Sequence, residues 1–406
     1  MRFRSALLIF LVSSTVLILG WPTRAEAQSL TIHSPIFITS VGGVENFTSA
    51  AGVTSGSGTP PDPYVIEGWE ISTSSAFGIH IRNTKSFFII RNLRVEGTRP
   101  AGLSSGIFLE NVQNGLVDRA NVTGFTYGVV ISVGTSNAVE NSNIWNNTDG
   151  IYLQGSNQLI KNDHLYNNTE YGALITSSTF NVIRNNNSSD NGDRNNGAGF
   201  FIIGSNNIFD NNTVSENSWF GIRMVGAPFA ASANNVFSNN TISRNGGLPN
   251  GGGICGCDGA GLVFSNNATA NQIVGNKVTD QDNGIGLESE AAGDYRNNIT
   301  LNTVVRNRFG IYVVNGGPRT SSTTITSTTH QTRLTTLSSI LGTFRRACEP
   351  TSSEDPSKEE TSTPTTRALT RTGMESATHH ISCPAVRVRP RTNYHSSEPY
   401  PQHRSM

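Results

Sequence analysis

The sequence lacks several features that would place it in common protein classes. It has 29 basic and 29 acidic residues, so no overall charge attracts it to nucleic acid, and no basic patch with interleaved aromatic residues is found. Four cysteines in 406 residues are too few for a disulfide framework. No apolar run after residue 20 is long enough to cross a bilayer. These absences argue against a nucleic-acid-binding, disulfide-stapled or membrane-spanning chain.

Glycine and asparagine are what the chain has instead. There are 41 glycines, and asparagine recurs in pairs such as Asn146-Asn147 and Asn211-Asn212. Both residues tolerate left-handed turn conformations that other residues avoid. With only 35% hydrophobic residues, such a chain cannot form many amphipathic helices. The composition therefore predicts a turn-rich β protein.

The N-terminus has the pattern of a targeting segment. Arg2 and Arg4 give a basic start, residues 6–20 are apolar, and Ala25-Glu26-Ala27 fits a small-x-small cleavage site. This predicts a secretory signal peptide over residues 1–27, with a retained N-terminal anchor as the alternative. We therefore expect the protein outside the cytoplasm, either secreted or in the cell envelope, which is the periplasm in a Gram-negative cell.

A repeat of 22 residues dominates residues 67–318. Each unit opens with glycine and two apolar positions, and a fixed period of this length indicates stacked repeats. The predicted opening strands begin at Gly78, Gly106, Gly128, Gly150, Gly172, Gly199, Gly221, Gly253, Gly284 and Gly310. A second strand is marked by asparagine with an aliphatic residue two positions later, as in Asn157/Leu159 and Asn297/Ile299.

Three short strands per unit predict an all-β parallel β-helix of about ten coils, at roughly 4.8 Å per coil. Aliphatic side chains would stack inward, and asparagines at equivalent turns would form a hydrogen-bonded ladder. Residues 28–66 would form an N-terminal cap with an entry strand over the open end of the core. Coils longer than 22 residues carry insertions, which project as loops.

The alternation predicts an outward-facing stripe on the opening strands, two residues after each glycine. Exposed aromatic residues on a flat sheet suit stacking on sugar rings, and cover by loops or a partner is the alternative. The stripe also passes through Val130, Leu174, Cys255 and Gly286. The predicted ligand-binding residues are His80, Phe108, Tyr152, Phe201, Arg223 and Tyr312.

Catalytic and metal-binding candidates are fewer. Asp190, Asp193 and Arg194 share one loop and could supply acid, base and charge stabilisation, although solvated turn residues have the same pattern. Cys255 and Cys257 would project from the same side of a strand about 6 to 7 Å apart. They could hold a thiophilic metal with a third ligand, form a strained disulfide or remain two unpaired thiols.

The repeat GI-x-L-x-x-S-x-x-N-x-I-x-x-N resembles the right-handed parallel β-helix of the NosD type, a periplasmic copper-binding group within the carbohydrate-binding and sugar-hydrolase β-helices. The lead-in GSGTPPDPYVIEGWEI at residues 56–71 is similar to that of secreted members. The resemblance covers residues 30–318 and implies a single-stranded, right-handed, pectate-lyase-like solenoid. Copper is implied by this resemblance only, and no other cofactor is predicted.

The repeat register ends at Pro318. Residues 319–406 are rich in threonine, serine and arginine, which is typical of a disordered low-complexity tail. We favour a frameshift as the other interpretation, because residues 358–381 can be encoded so that a shifted frame gives an acidic segment resembling the closing motif of NosD-type β-helices.

Together these observations predict a secreted β-helix that binds a polysaccharide or cell-envelope glycan without turnover. The alternatives are a polysaccharide lyase, hydrolase or epimerase, although none of the clustered motifs of those enzymes is found, and a NosD-like copper-handling accessory protein.

Overall fold

The computed structural model describes residues 29–97, 102–193, 197–226, 232–246, 259–289, 296–307, 309–315, 324–327 and 334–336. All of them belong to one compact unit, residues 1–352. Apart from a short 3₁₀ turn at Ser49–Ala51, the described residues form strands, turns and connecting segments. None of them forms a helix long and apolar enough to span a membrane.

The strands follow one another in short segments. In chain order they are β1 Thr31–Ile32, β2 Ile36–Val41, β3 Val44–Glu45, β4 Tyr64–Glu67, β5 Trp69–Thr73, β6 Phe77–Thr84, β7 Phe88–Gly97, β8 Ser105–Val112, β9 Gly115–Thr123, β10 Tyr127–Thr135, β11 Ala138–Glu140, β12 Asn143–Trp145, β13 Asp149–Ser156, β14 Leu159–Lys161, β15 His164–Tyr166, β16 Tyr171–Thr179, β17 Val182–Arg184, β18 Asn187–Ser189, β19 Ala198–Ser205, β20 Ile208–Asp210, β21 Thr213–Ser215, β22 Phe220–Gly226, β23 Ser232–Ala233, β24 Val236–Ser238, β25 Thr241–Ser243, β26 Ala260–Asn266, β27 Ala268–Thr269, β28 Gln272–Val274, β29 Lys277–Thr279, β30 Asn283–Ser289, β31 Asn298–Val305, β32 Phe309–Asn315, β33 Thr324–Ser327 and β34 Leu334–Thr336.

These strands form two large sheets and one short pair, all of them parallel apart from the antiparallel pairing of β3 with β2. The first sheet has 19 strands, and the second has 13 in the order β3-β2-β6-β8-β10-β13-β16-β19-β22-β26-β30-β32-β34. Successive strands of the second sheet belong to successive coils, so each coil pairs with the coils before and after it. The predicted all-β, right-handed parallel β-helix is confirmed. The coil count differs slightly from the expected ten. In addition, β2 of the predicted cap pairs in parallel with β6.

The core is a stack of inward-facing aliphatic residues. In the second sheet, Ile79, Ile107, Val129 and Ile151 occupy equivalent positions and are fully buried. Phenylalanines widen the core further along the chain, where Phe209 stacks on Phe237 at 4.9 Å between ring centroids. The burial of this apolar column contributes to holding consecutive coils together.

The asparagine pairs divide two tasks between their members. The first member takes the left-handed turn conformation, as at Asn146 with φ 55° and Asn211 with φ 53°. The second member, as at Asn147 and Asn212, is buried and joins a ladder from coil to coil. Both expectations for asparagine, turn formation and a ladder, are confirmed.

The glycines that open each coil serve a different purpose from the one their conformational freedom suggests. A Cβ atom on Gly150 would lie only 2.4 Å from the carbonyl oxygen of Gly172 in the next coil. Gly150 does not have a positive φ. The close approach of backbones between coils therefore demands glycine at this position.

The predicted inward position of the second strand is wrong by one residue in part of the chain. Leu159 is half-buried and Ile160 fills the core, and Ile208 is 41% exposed while Phe209 is buried. At Ile299 the predicted inward position is right. The reason is that asparagine marks the turn in some coils and the ladder position, one residue later, in others.

Parallel pairing continues past Pro318. Strand β33 pairs with β31, with Ile325 beside Ile299, and β34 pairs with β32, with Leu334 beside Ile311. Both strands lie in the segment expected to be a tail. The remainder of that segment and the expected signal peptide lie outside the described residues.

Candidate functional site

The predicted stripe is a single column of register partners on the second sheet. The backbone pairs run in order through Phe37, His80, Phe108, Val130, Tyr152, Leu174, Phe201, Arg223, Val263, Gly286 and Tyr312. The structure therefore brings all six predicted ligand-binding residues onto one column, although the side chain of Tyr312 lies outside the described part of the chain.

One coil of the predicted stripe is placed differently. Val263 of β26 pairs with Arg223, at the position expected for Cys255. Gly253 and Gly261 each precede an apolar residue, so the local pattern fits both, and pairing with β22 selects Gly261. Cys255 and Cys257 lie outside the described residues, as does Arg194.

The column is less exposed than the prediction implies. His80, Val130 and Val263 are buried, and Phe108, Tyr152 and Phe201 are half-buried. A second column of side chains, three residues earlier on each strand, accounts for part of this cover.

This flanking column was missed by the sequence reasoning. Its register partners are Phe77, Ser105, Tyr127, Asp149, Tyr171, Ala198 and Phe220. Each precedes the opening glycine of its coil, so a recurring aromatic-glycine dipeptide was the available signal.

Large and small side chains alternate between the two columns. On β8, β13 and β19 the aromatic residue is in the stripe, beside Ser105, Asp149 or Ala198. On the intervening strands β10 and β16 the aromatic residue is in the flanking column, beside Val130 or Leu174. Rings consequently meet diagonally between coils. The centroid distances are 5.6 Å for Phe77–Phe108, 5.2 Å for Tyr127–Tyr152 and 5.0 Å for Tyr171–Phe201. We call the two columns from Phe77 to Arg223 the aromatic band.

Asp149 lies within the band between Tyr127 and Tyr171. It is 3% exposed, and its Oδ1 accepts the backbone N–H of Tyr171 at 3.2 Å. Its Oδ2, unlike that of Asp163, is not both sealed from solvent and unpaired. Burial, followed by the negative charge of Glu170, raises the pKa of Asp149 to about 8. The carboxyl group therefore keeps its proton to a higher pH than an ordinary aspartic acid does, and it can donate that proton.

The surroundings of Asp149 are also perturbed. Burial, followed by the charge of Asp149, raises the pKa of Tyr127 to about 12. Burial, followed by the charge of Asp193, raises the pKa of Glu170. The hydroxyl of Tyr152 accepts a hydrogen bond from Thr176 Oγ1 at 3.3 Å. Perturbed ionisable groups of this kind are typical of functional sites, and also of buried structural groups.

Of the three predicted catalytic residues, Asp190 and Asp193 are described, and their charges act on different groups. The charge of Asp193 raises the pKa of Glu170, which lies beside the aromatic band. The charge of the exposed Asp190 raises the pKa of His164 on the first sheet, although burial, which is the larger effect, lowers it. The carboxyl group within the band is that of Asp149, whose burial follows only from the stacking of coils.

His80 is enclosed at one end of the band. Its ring stacks on Phe108 at 4.7 Å and its Nε2 lies 3.0 Å from Glu110 Oε2. Burial lowers the pKa of His80, against the raising effect of Glu110. His80 thus packs the band and positions Glu110.

Arg223 ends the band on the other side. Its guanidinium carbon lies 4.9 Å from the ring centroid of Phe220 and 5.8 Å from that of Phe201. Within the described part of the chain, no group of three or more His, Cys, Asp or Glu residues could hold a metal ion.

Comparison with known proteins gives the class of the fold. The family model of the right handed beta helix region matches residues 36–188, 127–292 and 191–332. These matches together cover more than half of the chain, which therefore belongs to the right-handed β-helix family. None of the curated proteins matches the chain in sequence.

Two solved structures illustrate the similarity. The A-module of mannuronan C-5 epimerase AlgE6 from Azotobacter vinelandii superimposes with a TM-score of 0.51 and 17% identity, over 71% of this chain and 84% of that one. The Dettilon tailspike protein gives a TM-score of 0.50 and 15% identity, over 72% of this chain and 58% of that one. At such identities the likeness concerns the fold.

Proposed function

We propose that the chain binds a glycan along the aromatic band, with an extracellular or cell-envelope polysaccharide as the ligand class. The observation that carries this proposal is the alternation of aromatic residues between two adjacent columns. It sets half-buried rings along successive coils, and from Phe108 to Phe201 the band extends over four coil spacings, or about 19 Å. A linear chain of sugar rings suits such a surface, because apolar sugar faces stack on aromatic rings.

The fold similarity to a mannuronan epimerase and a tailspike protein is consistent with a glycan ligand but does not assign one. The resemblance to NosD-type proteins is kept as part of the proposal, on the strength of the repeat and of residues 56–71.

Export of the protein from the cytoplasm is also proposed. N-terminal sequencing of the mature protein is expected to begin at Gln28, and an intact Met1 on the mature protein would contradict it.

A glycan array followed by calorimetry on the best ligand tests binding. Tyr152→Ala is expected to weaken binding about fivefold, since an aromatic contact contributes on the order of 1 kcal/mol and about 1.4 kcal/mol is a factor of ten. Trp145→Ala is the matched control, because Trp145 is also half-buried and stacked, at 5.8 Å from Tyr166, but lies on the first sheet. Equal losses in the two variants would contradict the assignment of the band.

Turnover of the glycan is the second candidate function, and the protonated Asp149 carboxyl favours it. A carboxyl whose pKa is raised by burial can act as a general acid toward a glycosidic oxygen. Assays for new reducing ends and for unsaturated uronates test this. If turnover is found, Asp149→Asn should abolish it while glycan binding persists. If turnover is absent, or if it survives in Asp149→Asn, Asp149 is not a general acid.

A further inference from the structure

Arg223 is a cation that the protein itself leaves unsatisfied. No described residue forms a hydrogen bond or salt bridge with its guanidinium, and its Nε is sealed from solvent without any partner. Five other arginines in the described part of the chain are paired with carboxylates, namely Arg91, Arg94, Arg119, Arg244 and Arg306.

The setting of Arg223 explains why it can persist in this state. The side chain is half-buried, and its guanidinium is held by the rings of Phe201 and Phe220. Contact with aromatic faces stabilises the cation while leaving its N–H donors at the edge of the plane. The sealed Nε cannot reach a ligand, so an acceptor supplied from outside would bind the terminal Nη1 and Nη2 donors, which have no acceptor among the described residues.

The missing partner is defined by the geometry of the donors. Unlike Nε, Nη1 and Nη2 are not sealed from solvent. They present two N–H groups in one plane, and this arrangement matches the two oxygens of a carboxylate. Arg223 follows Phe201 by one coil, a distance of about 4.8 Å. A sugar ring stacked on Phe201 would thus place a substituent within reach of the guanidinium.

We propose that Arg223 binds a carboxylate of the glycan, so that the preferred ligands are chains containing uronic acids. This inference rests on the proposed glycan binding by the aromatic band. It makes Arg223 the residue that distinguishes acidic from neutral chains, while the aromatic residues stack on either.

The test compares three oligosaccharides of equal length by calorimetry: a hexuronate oligomer, the same oligomer with its carboxyl groups reduced to alcohols, and a sulfated neutral oligomer. The native protein is expected to bind the uronate at least tenfold more tightly than the reduced form. This preference should weaken as salt is raised, whereas binding of the reduced form should not, because salt screens only the charged contact.

Variants then assign the preference to one side chain. Arg223→Gln should bind the uronate and its reduced form equally, and Arg223→Lys should keep a smaller preference, since an ammonium lacks the planar pair of donors. Arg184→Gln is the matched control, because Arg184 is an exposed arginine on the first sheet and its loss should leave the preference intact. Thermal unfolding of each variant verifies folding, and the salt dependence of the native protein tests the proposal without any variant.

Several outcomes overturn the proposal. Equal binding of the uronate and its reduced form by the native protein would contradict carboxylate recognition, while the proposed glycan binding would still hold. A preference for the uronate that survives in Arg223→Gln would show that Arg223 is not the residue that binds the carboxylate. A preference for the sulfated chain would show that the site binds a sulfate ester in place of a carboxylate. Binding of none of the three, together with no ligand on the array, contradicts the proposed function as well.

Discussion

The backbone N–H of Asp163 donates to Asn186 Oδ1 at 2.9 Å, which places a carboxylic acid in a column of amides. The column continues through Asn212, Asn240, Asn276 and Asn302. Each of these amides uses its Nδ2 to donate to a carbonyl of an earlier coil, as Asn186 does to Ile160 at 3.1 Å. The equivalent atom of Asp163, Oδ2, is sealed and has no partner.

A proton on Asp163 resolves this conflict, since a protonated oxygen can donate where the amides donate. Burial is the main cause that raises the pKa of Asp163 from 3.8 to about 8, while hydrogen bonds from the backbone of Ser142 and Lys161 lower it. A group with a raised pKa in the folded state stabilises the protein fully below its unfolded pKa, and this contribution is lost as pH rises through the folded pKa. Here the loss falls between about pH 4 and pH 8.

Asp163→Asn is therefore expected to stabilise the protein most at alkaline pH. It supplies the missing donor and removes the titrating group, so the free energy of unfolding should rise by about 1–3 kcal/mol at pH 9 and by much less at pH 4. Chemical denaturation at both pH values measures this. Part of the slope should remain, because the pKa of Asp149 is raised in the same direction.

The control for this experiment is Asp190→Asn, which makes the same chemical change at an exposed position with φ 56°. It should alter the pH dependence of stability only through the effect of the Asp190 charge on the pKa of His164. Equal stability of Asp163→Asn and the native protein at pH 9 would show that the ladder tolerates the carboxylate.

The division of tasks within an asparagine pair predicts unequal effects of mutating its two members. Asn212 is buried, accepts from the backbone and side chain of Asn186, and donates to Ile183 and Asn240, all at 2.9–3.0 Å. Asn212→Ala leaves these partners unsatisfied and should lower the free energy of unfolding by about 3 kcal/mol or more.

Asn211→Gly should cost less than about 1 kcal/mol, because glycine also adopts the left-handed conformation that Asn211 occupies at φ 53°. Denaturation of both variants under one condition compares them. Similar losses in the two variants would mean that the ladder contributes no more to stability than the turn does.

The close approach of coils at the opening glycine predicts that alanine is not tolerated there. The added Cβ of Gly150→Ala would meet the carbonyl oxygen of Gly172 at 2.4 Å, and a backbone atom cannot move aside as a flexible side chain can. We expect a loss of about 1–3 kcal/mol in the free energy of unfolding. Gln154→Ala, on the same strand and half-buried, is the control and should have a smaller effect in the same denaturation experiment.

The fold was predictable because its signals repeat. The 22-residue period fixes the coil, and alternation on the opening strands fixes which residues face outward, so the column containing Tyr152 and Phe201 could be named in advance. The exact register was less predictable where the local pattern is ambiguous. Gly253 and Gly261 both fit an opening strand, and Leu159 and Ile160 are equally apolar, so only pairing with neighbouring coils decides between them.

The sequence by itself thus determined the β-helix and the stripe, because both follow from a periodicity written many times along the chain. Only the tertiary structure decided what surrounds each member of the stripe. Asp149, Asp163 and Arg223 acquire their properties from residues of adjacent coils: burial raises the pKa of both carboxyl groups, and aromatic rings hold a guanidinium that has no acidic partner. Such effects depend on neighbours some 20 to 30 positions away in the chain, as with Asp163 and Asn186 at a separation of 23, and a local pattern does not record them.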